Sequence, residues 1–140
     1  MNTAKPIRIL VVDDDQTFRE RLSRALSARG FEVAPAANAR EAVEVAGRFR
    51  PQRAVVDLKM PGAGGLELVR DLAAMDSGMQ IVVLTAYGTI PSAVEAVRRG
   101  AVNYLSKPSD TEQILAAFEP DRDLSARAAG EETPSLARVE

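Results

Sequence analysis

"IRILVVDDDQT", residues 7–17, is a short apolar run that stops against three consecutive aspartates. A stretch of Ile, Leu and Val of this length predicts a strand buried on both faces. Three adjoining carboxylates repel one another and resist desolvation, so the strand must end where something repays that charge. Further short runs rich in branched apolar residues follow at residues 31–35 (the weakest), 53–56, 81–84 and 102–105. Between them apolar residues recur at helical spacing: Phe18, Leu22, Ala25 and Leu26; Ala42, Val45, Ala46 and Phe49; Leu66, Val69 and Leu72; Ile90, Val94 and Val97; Ile114, Leu115 and Phe118. Each set predicts the inward face of a helix. Gly30, Gly78 and Gly100 fall where a left-handed cap or turn is needed, and Pro51 blocks continuation of the second helix. The pattern is five β-α units, which predicts an α/β fold: a doubly wound parallel sheet with helices on both faces and right-handed crossovers.

In such a sheet ligands bind outside the carboxyl ends of the strands. Asp13, Asp14 and Asp15 follow the first strand, Asp57 ends the third, Thr85 the fourth, and Ser106 and Lys107 the fifth. All are expected along one edge. Composition narrows their chemistry. The 140 residues contain no histidine and no cysteine, which removes imidazole bases, thiol nucleophiles and thiolate zinc sites. A formal charge of −2 gives no basic field for nucleic acid. The N-terminal apolar run is too short for a signal peptide and no later stretch approaches a membrane span, so a cytoplasmic location with no membrane contact is the expectation. Converging carboxylates cannot all stay ionised without a cation, and oxygen-only ligands select Mg²⁺ or Mn²⁺. A lysine across from such an ion can neutralise a phosphoryl oxygen, and Thr85 can donate a hydrogen bond to the same group. The implied chemistry is phosphoryl transfer with an aspartate as nucleophile.

Two placements of the nucleophile compete. "DDDQT" resembles the first motif of haloacid-dehalogenase-type phosphatases, with Asp13 as nucleophile and Asp15 as acid/base, and Thr85 and Lys107 fit that family's later motifs. It leaves Asp57 without a role, however, and no acidic pair follows Lys107 at a strand end. The other placement makes Asp57 the nucleophile. "ILVVDDD" (9–15), "AVVDLKMPGAGG" (54–65), "VVLTAYG" (82–88) and "GAVNYLSKP" (100–108) together resemble the receiver domain of two-component response regulators, over about residues 7–118.

That resemblance implies a flavodoxin-like (CheY-like) sheet of order 2-1-3-4-5 with five helices. It implies that Asp57 accepts a phosphoryl group from a phosphohistidine on a sensor histidine kinase. Asp14 would ligate Mg²⁺ directly, Asp13 mainly through water, and the Lys59 backbone carbonyl would be a further ligand beside Asp57. Lys107 would pair with the phosphoryl group, Thr85 and the Ala86 amide would bind its oxygens, Tyr104 would swing inward as Thr85 moves, and the Lys107–Pro108 bond would be cis. Met60, Pro61, Gly62, Gly64 and Gly65 are read as shaping the loop after the acceptor, and Asp15 as the N-cap of the first helix. The resemblance also points to output through the face of helix four, strand five and helix five, where phosphorylated receivers dimerise or meet an effector. Arg98, Arg99, Asp110 and Glu112 there could make reciprocal pairs, but a solvated face is the preferred reading, since exposed pairs contribute only about 0 to 1 kcal/mol each.

Residues 1–119 are therefore expected to form the receiver, with residues 120–140 as a polar linker or tail. "KPSD" and "PSLARVE" resemble the redox-responsive global regulators of the RegA, PrrA and ActR type, whose short helix-turn-helix domain follows such a linker. DNA would then be met only through a C-terminal domain outside these residues. A stand-alone receiver acting by protein contact is the alternative.

Overall fold

The apolar runs and amphipathic stretches resolve into ten alternating elements in the structure, a computed structural model that describes residues 5–59, 64–85, 90–107 and 110–118, with the main chain alone at 85, 90 and 91. In chain order they are β1 (Arg8–Val12), α1 (Gln16–Ala28), β2 (Glu32–Ala36), α2 (Ala39–Phe49), β3 (Arg53–Asp57), α3 (Gly64–Met75), β4 (Gln80–Thr85), α4 (Ile90–Arg98), β5 (Asn103–Ser106) and α5 (Thr111–Ala117). The strands form one parallel sheet in the order β2-β1-β3-β4-β5, as the resemblance implied.

Successive strand residues point to opposite faces, so a central strand covered on both sides must be apolar throughout. On one face Leu10, Val12, Ala54, Val56, Ile81 and Val83 meet Ala42 and Val45 of α2, Leu68 and Leu72 of α3, and Ala96 of α4. On the other, Ile9, Val11, Val55, Val82 and Leu84 meet Leu22 and Leu26 of α1 and Ile114, Ala117 and Phe118 at α5. Burial on both faces holds for β1, β3 and β4 but not for the edges. β5 carries mostly exposed residues, and Glu32 and Pro35 of β2 face solvent. Pro35 fits there because an edge strand can do without one amide donor.

The expected inward face of α4 is also corrected. Ala93 and Ala96 are buried, whereas Val94 and Val97 are 46% and 44% exposed. Two alanines let the helix lie close to its neighbours, and the bulkier valines are left outside. A Cβ at Gly100, where φ is +129°, would stand 2.8 Å from Ala73 Cβ, which shows how tightly the end of α4 meets α3. The second helix closes without glycine: Arg50 takes the left-handed conformation (φ 55°, ψ 61°) just before Pro51. Gly78 serves in a turn whose amide donates to Asp76 Oδ1 at 2.9 Å.

Among the described residues no helix is long and apolar enough to cross a membrane. The expectations for Met60, Pro61, Gly62, Ala86, the Lys107–Pro108 bond and the tail at 120–140 lie outside the described residues.

Candidate functional site

Parallel register brings the predicted residues to one edge. Val12 of β1 stands beside Val56 of β3, so Asp13 and Asp57 emerge next to each other. Thr85 of β4 pairs with Ser106 of β5, which delivers Lys107 to the same end. The chain then anchors each carboxylate. Asp13 is fully buried and Asp57 is 3% exposed, and they are the buried charged residues among those described. Asp14 faces solvent. The amide of Asp13 donates to Ala36 O of β2 at 3.1 Å, and Arg19 Nη1 donates to Asp13 O at 2.8 Å. Asp15 accepts from Phe18 N at 3.1 Å and caps α1, the role expected for it.

Lys107 Nζ lies 2.8 Å from Asp13 Oδ2 and 3.5 Å from Asp57 Oδ2. Asp13 Oδ1 accepts from the Asp15 amide at 2.9 Å, and Asp57 Oδ1 accepts from the Lys59 amide at 3.0 Å. Asp13 thus has both oxygens engaged. Asp57 Oδ2, in contrast, meets its lysine beyond the range of a good hydrogen bond. Burial pushes the Asp57 carboxyl up to about 6; the Lys59 amide and Lys107 pull it down, while the Asp13 charge raises it further. For Lys107 burial opposes the charge, but the hydrogen bond and charge of Asp13, with Asp57 behind them, hold its pKa above the ordinary value. The lysine is firmly cationic.

Carboxylate oxygens of Asp13, Asp14 and Asp57 lie within 4.8 Å of one another. Mg²⁺ bonds of about 2.1 Å place ligand oxygens roughly 3 to 4.2 Å apart, so a slight contraction would seat one. An all-oxygen set with one solvent-facing member suits a hard cation that keeps waters. The donor chemistry fits a divalent ion.

Asp13, Asp14, Asp57 and Lys107 therefore come together, and Lys59 joins them through its main-chain amide. The strand position of Thr85 is as expected, and its side chain and Ala86 lie outside the described residues. Tyr104 is 39% exposed on β5. Of the charges that could have paired between molecules, three are used within the chain: Arg99 binds Glu95 at 2.8 Å, Glu112 binds Arg29 at 2.6 Å, and Asp110 makes a capping box with Gln113.

Two site residues were missed by sequence reasoning. Phe18, taken only as core, places its ring 4.5 Å from Lys107 Nζ. Gly65, taken as a turn residue, is required by close approach: a Cβ there would lie 2.6 Å from Leu58 Cα and 2.7 Å from Asp57 O. The run of glycines was the available signal for it. The phosphatase alternative is set aside, because Asp13 is buried with both oxygens bound and Asp57 holds the less committed carboxylate.

Comparisons with known proteins agree. The family model for the response regulator receiver domain matches residues 9–119. The acid tolerance regulatory protein ActR of Rhizobium meliloti (strain 1021) is 42% identical over 110 residues, covering 79% of this chain and 57% of that protein. The photosynthetic apparatus regulatory protein RegA of Rhodovulum sulfidophilum is 43% identical over 110 residues, covering 79% of this chain and 60% of its own length. The chain thus spans under two thirds of these curated relatives. A crystal structure of a response regulator protein from Burkholderia pseudomallei, with a phosphorylated aspartic acid, a calcium ion and citrate, superposes with a TM-score of 0.78 at 38% identity, covering 93% of this chain and 77% of that one.

Proposed function

The chain belongs to the response regulator receiver family, and on that premise we propose that Asp57 is its phosphoacceptor, loaded by a sensor histidine kinase. The observation that carries the assignment is the placement of Asp57: nearly buried at the end of β3, raised in pKa, and sharing the Lys107 ammonium with Asp13.

An oxygen of Asp57 attacks the phosphorus of a phosphohistidine; the new P–O bond forms as the P–N bond breaks, and the imidazole leaves with the electron pair. The Lys59 amide holds Oδ1, which orients Oδ2 toward the incoming group. A Mg²⁺ or Mn²⁺ ion held by Asp14, by Asp13 through water, by Asp57 and by the Lys59 carbonyl would neutralise the carboxylates and the phosphoryl oxygens. Lys107, which bridges the two buried aspartates, supplies the second positive charge and transfers its hydrogen bond from Asp13 to the phosphoryl group. The Thr85 hydroxyl and the Ala86 amide bind the remaining oxygens, and Tyr104 moves inward from its exposed position as Thr85 is drawn to the site.

The output is a changed surface on α4, β5 and α5, used for a homodimer or an effector contact. In this reading residues 1–119 are the receiver, and residues 120–140 lead to a helix-turn-helix domain through which a cytoplasmic regulator meets DNA. The domain acts as a switch with self-catalysed phosphotransfer and slow autodephosphorylation. The test is incubation with a small phosphodonor such as acetyl phosphate, read by intact mass. Wild type should gain one phosphoryl group only with Mg²⁺ or Mn²⁺, and Asp57→Asn none. Labelling that ignores the metal, or survives in Asp57→Asn, would overturn the assignment.

A further inference from the structure

Lys107 sits in a three-sided cage. Two sides are the carboxylates of Asp13 and Asp57, at 2.8 and 3.5 Å, and the third is the ring of Phe18, whose centroid lies 4.5 Å from Nζ. We propose that Phe18 is a positioning residue for phosphoryl transfer: its ring face holds the Lys107 ammonium at the site while the ammonium exchanges the Asp13 carboxylate for the phosphoryl group. The inference rests on the phosphoacceptor reading above.

Three observations carry it. First, the anionic partners of Lys107 must change during the reaction, whereas the ring does not. A cation released by one carboxylate has many rotamers open to it, and a fixed aromatic face restricts that search at little desolvation cost. Secondly, Lys107 is only 19% exposed at its side chain, so the ring acts on a partly dehydrated ammonium, where cation–π attraction is at its strongest. Thirdly, Phe18 is itself held from both ends. Its amide donates to Asp15 Oδ1 at the N-cap of α1, and its ring packs on the cluster containing Leu22, Leu26, Leu84 and Ile114. The third aspartate, which is neither the buried Asp13 nor the solvent-facing Asp14 of the candidate metal set, thus starts the helix that presents the aromatic ring to the lysine.

A leucine at this position keeps apolar packing but offers no ring face. Phe18→Leu should therefore lower the rate of phosphorylation by acetyl phosphate with Mg²⁺ by roughly two- to thirty-fold, the span expected for loss of a cation–π contact, while Phe18→Tyr and Phe18→Trp stay near wild type. A structural role alone would make the rate follow the unfolding midpoint in urea across the series instead of ring chemistry. A second measurement needs no phosphorylation: the Lys107 ε-methylene protons should show an upfield ring-current shift in wild type that is lost in Phe18→Leu and kept in Phe18→Tyr. Shift present and rate dependent on the ring supports the proposal. Shift absent in wild type, or a rate in Phe18→Leu equal to wild type, overturns it. Failure of the wild type itself to be labelled would overturn the phosphoacceptor reading instead.

Discussion

Replacing Asp57 by asparagine should make the protein more stable at neutral pH, and the gain should vanish in acid. Burial, chiefly, raises this carboxyl from an ordinary value of 3.8 to about 6. A carboxyl whose pKa is higher in the folded state binds its proton more tightly there, so its contribution favours folding below the unfolded pKa and is lost as pH rises through the folded one. The rise from 3.8 to about 6 corresponds to about 3 kcal/mol against the folded state once Asp57 is charged. Asparagine keeps the shape and can keep the bond from the Lys59 amide, but its NH₂ would face the Lys107 ammonium, which offsets part of the gain. The expected net effect is about 1 to 2 kcal/mol at pH 7, which with a urea slope of 1 to 3 kcal/mol/M moves the midpoint by about 1 M. Chelator must be present in both samples, because a cation bound to the three carboxylates would stabilise the wild type and mask the difference. The exposed Asp14→Asn variant serves as control, with an expected change within about 0.5 kcal/mol. A midpoint for Asp57→Asn that equals or falls below wild type at pH 7, or a gain of the same size at pH 4, would refute the burial argument.

Lys107→Met should unfold more easily in chelator by about 3 to 5 kcal/mol, because fully buried Asp13 loses its cation, and Mg²⁺ should restore part of the loss in a urea titration. Gly65→Ala should cost about 1 to 3 kcal/mol by denaturant and slow phosphorylation as well, since the new methyl can be relieved only by moving backbone at Leu58 and Asp57. Asp15→Ala should cost about 1 kcal/mol through loss of the α1 cap, seen as a lower urea midpoint.

The residues at the strand ends were legible because a parallel sheet turns sequence position directly into place: whatever follows β1, β3, β4 and β5 must share an edge. The side chains that tune that edge were not. Phe18 has the spacing of a core residue and packs, half-buried, against the core, and nothing in its spacing reveals that Lys107, 89 positions later, packs over the ring. The α4 face was misread because periodicity weights large apolar residues, whereas close packing selected Ala93 and Ala96 and put Val94 and Val97 outside. Pro35 was an available signal for the edge position of β2, whereas β5 has an ordinary strand pattern and only the order of the sheet makes it an edge. Gly65 looked like one more loop glycine; the run of glycines signals room for close backbone approach, but which of them is required comes from the contact with the main chain of Asp57 and Leu58.

The measurement that tests the central claim most directly is the position of the phosphoryl group. Protein treated with acetyl phosphate and Mg²⁺ is reduced with borohydride, which converts an aspartyl phosphate to homoserine, and then digested and sequenced by mass spectrometry. Homoserine at position 57, and at neither 13 nor 14, is the predicted result. Homoserine at 13 or 14 with aspartate retained at 57 would contradict the account.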